Sequence, residues 1–120
     1  MVVDSSIWIE IVFDGPLRKK CEEILKTAEV LVPALIIYEV YRKLKKQVSE
    51  EIAIEVISSI SKYPTLEINR DISILAADLS LEYSLGMADS VVLACAKLNK
   101  TELVTLDNDF AKIPDVKILR

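Results

Sequence analysis

Two short apolar runs at opposite ends of the chain each lead into an aspartate. Met1-Val2-Val3 meets Asp4, and Leu103-Val104-Thr105-Leu106 meets Asp107. Runs this short, bounded by polar turns, read as buried strands rather than as amphipathic elements. Val30-Leu31-Val32, Leu66-Glu67-Ile68 and Val116 to Leu119 have the same character. Helical stretches separate them. One covers Ile7 to Phe13, and a second runs from Pro16, which suits a first turn, to Lys26. A third starts at Pro33 and carries Glu39. A fourth restarts at Ser49-Glu50-Glu51 and ends before Tyr63-Pro64. Asp71 caps a fifth through Tyr83, with Gly86 as its stop, and a sixth covers Ala88 to Leu98. Strands alternating with helices give the α/β class, a three-layer α/β/α sandwich around a mostly parallel sheet. Ligands of such sheets bind beyond the carboxyl ends of the strands. Asp4 and Asp107 both follow strands directly, so the fold should bring them to one edge.

The 120 residues, 52% of them apolar, suit one domain spanning 1–120 with one core. No run is long enough for a membrane span, and the first residues carry no export signal. Cys21 and Cys95 read as core packing in a reduced interior, so the expected location is cytoplasmic. The absence of histidine is more restrictive. It removes Ser-His-Asp and Cys-His triads and the usual zinc chemistry, leaving metal-activated water as the route to a nucleophile.

Four carboxylates are placed to hold a metal: Asp4, Glu39, Asp89 and Asp107. Hard oxygen donors of this kind suit Mg²⁺ or Mn²⁺. Their four charges equal the net charge of −4, so the remainder of the chain is neutral and global charge does not exclude a nucleic-acid partner. Each acid also has a plainer reading. Asp4 serves equally as a helix N-cap, with Ser6 capping or orienting it. Asp89 opens a helix that is wholly apolar from Val91 to Ala96, where a buried carboxylate needs donors, a helix dipole or a cation. Glu39 lies nearly opposite a stripe of Ile37, Val40, Tyr41, Leu44 and Val48, with Lys43 four residues on. Read alone, it is a solvated member of a surface pair. Asp107 and Asp109 form an Asp-x-Asp turn in which Asp107 ranks first as a ligand, Asp109 is auxiliary, and the Thr105 hydroxyl is placed to orient a ligand.

Arg42 and Lys46 share the face of Glu39 and suit the wall of a groove that admits a phosphate backbone. Arg18-Lys19-Lys20 reads as a solvated helix face. Trp8 and the tyrosines read as core or interface residues, because they do not interleave with basic residues as stacking platforms do.

The pattern resembles the PIN domain, and within it the VapC-type toxins of toxin–antitoxin pairs. The resemblance rests on Val2-Val3-Asp4-Ser5-Ser6, on Tyr38-Glu39-Val40, on the block from Gly86 to Ala94 around Asp89, and on Leu103 to Phe110. It runs end to end with the blocks in the family's order. It implies dependence on Mg²⁺ or Mn²⁺ and cleavage of single-stranded RNA. It also implies a homodimer and a small antitoxin whose tail enters the acidic groove. Asp4, Glu39, Asp89 and Asp107 take the places of the catalytic quartet, with Asp4, Asp89 and Asp107 as metal ligands and Asp109 competing for the fourth place. Two other classes are weighed against this. A phospho-acceptor receiver domain would need an acidic pair after the first strand, where Ser5 stands. A PIN scaffold that binds RNA or a protein without cutting is the main alternative.

Overall fold

The structure, a computed structural model, describes residues 1–120. Its elements run β1 (Val2–Val3), α1 (Ser5–Val12), α2 (Arg18–Thr27), β2 (Val32–Pro33), α3 (Ala34–Gln47) and α4 (Glu50–Ile60). They continue with β3 (Thr65–Leu66), α5 (Arg70–Tyr83), α6 (Met87–Leu98), β4 (Leu103–Thr105) and β5 (Val116–Ile118). A 3-10 turn, Asn108–Phe110, separates the last two strands.

All strand pairings are parallel. Val2 lies opposite Leu103 and Val3 opposite Val104; β4 pairs with β5, and β2 with β3. A single bridge between Val2 and Leu31 joins the two pieces, giving the spatial order β3-β2-β1-β4-β5. The chain moves outward from β1 to β2 and β3, then returns across the sheet to β4 and β5. Because parallel crossovers are right-handed, that reversal places α1 to α4 on one face and α5 and α6 on the other. The strand order therefore turns about between β1 and β4, the position where open parallel sheets open a crevice.

The core contains 26 buried apolar residues. Val2, Val3, Leu103 and Val104 have no exposed surface, and α6 is buried continuously from Ser90 to Ala96 as it crosses β1 and β4. A helix apolar on all sides must lie inside, and this one does. No single helix is long and apolar enough to cross a membrane.

Local details differ from the sequence reading where short polar side chains compete for backbone groups. Asn69, not Asp71, caps α5, because its side-chain oxygen reaches the Ile72 N–H at 3.0 Å. The helix stops at Ser84, which takes the left-handed conformation (φ 56°), while Gly86 has φ −65° and opens α6 instead. Ser80 relieves that stop by donating to the Leu85 carbonyl at 2.7 Å. Pro33 both closes β2 and stands at the N-cap position of α3, and β3 is Thr65–Leu66 because those residues face Val32 and Pro33 in the ladder. Pro16 lies before α2, which begins at Arg18. The intervening turn is held by Glu10, whose Oε2 accepts the Leu17 N–H at 2.8 Å. Gly15 makes room for that carboxylate: a Cβ there would stand 2.1 Å from Glu10 Oε1.

Candidate metal centre

Asp4 leaves β1 and Thr105 ends β4, the two strands that flank the reversal of strand order. Asp4 is 6% exposed, yet it holds no salt bridge. It stands at the N-cap position of α1 but makes no capping bond. Its Oδ2 instead accepts the Thr105 hydroxyl at 2.7 Å and the Ser6 hydroxyl at 3.1 Å. Each hydroxyl is in turn oriented by a backbone donor. The Asp107 N–H points at Thr105 Oγ1 (3.0 Å), and the Leu106 N–H points at Ser6 Oγ (3.0 Å). Two serial relays thus fix one carboxylate oxygen, while Oδ1 accepts no hydrogen bond from the protein.

Glu39 comes from α3. The helix buries Ile36, Val40 and Leu44, whereas Val48 is 47% exposed, so the apolar stripe is rotated from the one read in the sequence. That rotation brings Glu39 to a half-buried position instead of the solvated one. Burial first, and then the charges of Asp4 and Asp89, raise its pKa to about 7. The expected surface pair with Lys43 is absent: the ion pairs are Arg18 with Asp14 and Glu22, and Lys45 with Glu50.

Asp89 lies in the first turn of α6, past the Gly86 cap position, so it does not cap the helix. Burial and then the charges of Asp4, Asp107 and Asp109 push its pKa up to about 6. Asp107 and Asp109 follow β4. Asp107 keeps its turn-forming role, since its Oδ1 accepts the Asp109 N–H at 2.9 Å. Single carboxylate oxygens of Asp89, Asp107 and Asp109 all lie within 4.8 Å of one another. Two overlapping groups of acids result, one of Asp4, Glu39 and Asp89 coupled by repulsion, the other of Asp89, Asp107 and Asp109 grouped by distance. Asp89 belongs to both.

These acids border a groove of about 750 Å³, lined by Asp4, Ser6, Glu39, Asp89 and Asp107. The face of α3 that carries Glu39 also lines it with Arg42 and Lys46, together with Lys43, Gln47 and Tyr38. Thr105 lies beneath the floor with no exposed surface, and Asp109 is exposed beside Asp107. Glu10, Lys43 and Tyr38 were not singled out for this site by the sequence. Lys43 and Tyr38 could have been found from their spacing, since positions 38/39, 42/43 and 46/47 fall on successive turns of one helix face. Tyr38 is also 61% exposed and so lies outside the core.

The residues suit a hard divalent cation. The donors are all carboxylate oxygens, none of them is held in a salt bridge, and burial together with the neighbouring acids raises the pKa values of Glu39 and Asp89.

The sequence model of the PIN domain matches residues 1–116. The chain belongs to the PIN domain family. Solved PIN domains of similar structure come from toxin–antitoxin systems. A toxin–antitoxin complex from Klebsiella pneumoniae shares 28% identity, with a TM-score of 0.82 over 97% of this chain and 94% of that one. VapC20 of Mycobacterium tuberculosis, a sarcin–ricin loop-cleaving toxin, has a TM-score of 0.82 at 12% identity over 98% and 97% of the two chains. DNA-bound VapBC from Salmonella typhimurium has a TM-score of 0.79 at 18% identity over 98% and 95%. At those lower identities the likeness is one of fold alone. No curated protein matches by sequence comparison. PIN domains of the VapC kind are, as a family, metal-dependent nucleases.

Proposed function

We propose that this PIN domain, spanning residues 1–120, is a Mg²⁺- or Mn²⁺-dependent endoribonuclease for single-stranded RNA and the toxin of a toxin–antitoxin pair. The observation that carries the reading is the convergence of acids from four separate segments in one groove that is also lined by the basic residues of α3. Asp4, Asp89 and Asp107 would hold the cation, Glu39 would complete the quartet, and Asp109 is auxiliary. When bound, the cation neutralises this charge and lowers the pKa of a water nucleophile. Ser6 and Thr105 keep the Asp4 carboxylate in one orientation, so no reorganisation is needed at the moment of reaction. Arg42 and Lys46 hold the phosphate backbone along α3. In-line attack by water on the scissile phosphate would leave a 5′-phosphate and a 3′-hydroxyl.

A small antitoxin is the proposed partner. An arginine or lysine inserted among the carboxylates would substitute for the cation's charge, so inhibition would compete with Mg²⁺. Its anchor would need dry surface. A groove of about 390 Å³, lined by Trp8, Ile11, Val12, Leu25, Val56 and Tyr63 with Glu22, Lys26, Ser59 and Lys62 beside them, offers such surface. The Trp8 indole N–H is buried there without an acceptor. A homodimer in the cytoplasm completes the proposal; exposed Ile74 (58%), Leu81 (84%) and Met87 (79%) supply apolar surface for a second copy.

The deciding experiment incubates purified protein with a single-stranded RNA and Mg²⁺ or Mn²⁺, with and without EDTA. Cleavage that needs the metal and is lost in Asp4→Asn supports the reading. Metal-independent cleavage overturns the mechanism, and RNA binding without cleavage favours the non-catalytic scaffold.

A further inference from the structure

The chain has four tyrosines, and three of them have a place in the fold. Tyr63 packs against Trp8 with ring centroids 5.7 Å apart, Tyr41 lies under the Lys45 ammonium at 5.7 Å, and Tyr83 packs against the core. Tyr38 does none of this. It is 61% exposed, stands outside the packed apolar residues, and its hydroxyl makes no hydrogen bond in the protein. An exposed aromatic ring that lines a groove is free to meet a ligand from solution with its face.

Its position indicates what that is. Tyr38 adjoins Glu39 on α3 and lines the same groove, and Arg42 and Lys46 follow at four-residue intervals along one helix face. That face presents, in order, a flat ring beside the acids and then cations one and two turns away. A single strand lying along the helix would place phosphates against the cations and one base against the ring. Interleaved aromatic and basic side chains along one groove are how single strands are held.

We infer that Tyr38 is a stacking platform for an unpaired base of the substrate strand next to the acidic cluster. The inference rests on the ribonuclease reading above and assigns to Tyr38 a positioning interaction within that site. A base must leave its own stack to reach the ring, so the contact is available to loops and single strands and closed to a continuous A-form helix. Stacking tolerates any base, so Tyr38 selects for strand state rather than for a particular sequence.

The test uses Asp89→Asn protein, so that the strand stays intact, and fluorescence anisotropy with a single-stranded oligoribonucleotide. A series of oligonucleotides carries one abasic position moved stepwise along the strand. In the Tyr38 protein, one abasic position should weaken binding roughly 5- to 150-fold, the range of a lost base–aromatic stack. Tyr38→Ala should bind the intact strand that much more weakly and should no longer respond to the abasic position. Tyr38→Phe should restore both affinity and response, which a disturbed helix would not. Ile54→Ala, another exposed apolar residue but on α4, should leave binding unchanged. Tyr38→Ala that binds as tightly as its parent, or stays equally sensitive to the abasic position, overturns the assignment while the nuclease reading stands. No binding by the Tyr38 parent itself removes both.

Discussion

The hydroxyl of Thr105 donates to Oδ2 of Asp4 at 2.7 Å, joining residues 101 positions apart at the ends of adjacent strands. The same hydroxyl accepts the Asp107 N–H at 3.0 Å, so one side-chain oxygen sets the geometry of two acids. Thr105→Val keeps the shape and removes both bonds inside a fully buried position. The expected cost is about 2–4 kcal/mol in chemical denaturation, since a charged acceptor loses a donor and a backbone N–H is orphaned. Metal-dependent cleavage should fall at least about tenfold through kcat, while Thr105→Ser should retain most of both. Full activity in the valine variant would show that Asp4 needs no orientation from β4.

Asp107 and Asp109 compete for one place in the proposed metal site. Asp107 is partly buried and lines the groove with the other acids, whereas Asp109 is exposed and stands outside that lining. Asp107→Asn should therefore weaken metal-dependent cleavage more than Asp109→Asn, by roughly tenfold or more for a lost charged ligand. Mn²⁺ titration of both variants, read by melting temperature as well as by cleavage, separates binding from chemistry. The reverse order would make Asp109 the principal ligand.

The raised carboxyl pKa values fix the direction of the pH response. Glu39 moves from 4.5 to about 7 and Asp89 from 3.8 to about 6, so the folded state holds these protons more tightly than the unfolded chain. Their stabilising contribution is complete below about pH 4 and is lost as pH rises to about 7. In EDTA, the melting temperature of the parent relative to Glu39→Gln should fall across that window and level off above it. Metal binding must displace the same protons, so Mg²⁺ affinity should rise with pH between about 5.5 and 7.5. A parent that gains stability relative to Glu39→Gln over this interval would contradict the repulsion described here.

Much of this was open to reading in the sequence, for a physical reason. Asp4 and Asp107 follow strands whose burial is written in their composition, and the carboxyl-end rule for parallel sheets places both at one edge before any contact is known. The element order was legible on the same grounds. Glu39 was harder, because a helical wheel distinguishes core from solvent and has no third environment. Glu39 occupies one, half-buried against other acids across a groove. The two-residue strands β2 and β3 are too short for periodicity to fix their ends, which are set by their pairing with each other. The N-cap of α5 turned on which short polar side chain reached the Ile72 N–H, a competition the sequence leaves between Asn69 and Asp71. Tyr38 reads as a core or interface residue in sequence because it does not interleave with basic residues along the chain; only the turn of the helix brings Arg42 and Lys46 onto its face.

Asp89 separates a metal ligand from a structural acid most sharply. It stands in the first turn of α6, where the helix dipole favours a negative charge by about 0.3–1 kcal/mol. Its pKa is nonetheless raised to about 6, so burial and the other acids outweigh that benefit. Asp89→Asn removes the charge and nearly keeps the shape. At pH 8 in EDTA the variant should be more stable than the parent, by about 1–2 kcal/mol after allowance for solvent screening. The gap should close towards pH 4, where the aspartic acid is neutral too. Mg²⁺ should then raise the melting temperature of the parent more than that of the variant, because binding to the native state stabilises by mass action and the variant has lost a charged ligand. A purely structural Asp89 would give the opposite pair of results: a variant less stable at pH 8 by the lost dipole interaction, and the same Mg²⁺ shift in both proteins. Melting curves at two pH values, with and without Mg²⁺, decide between them without reference to catalysis.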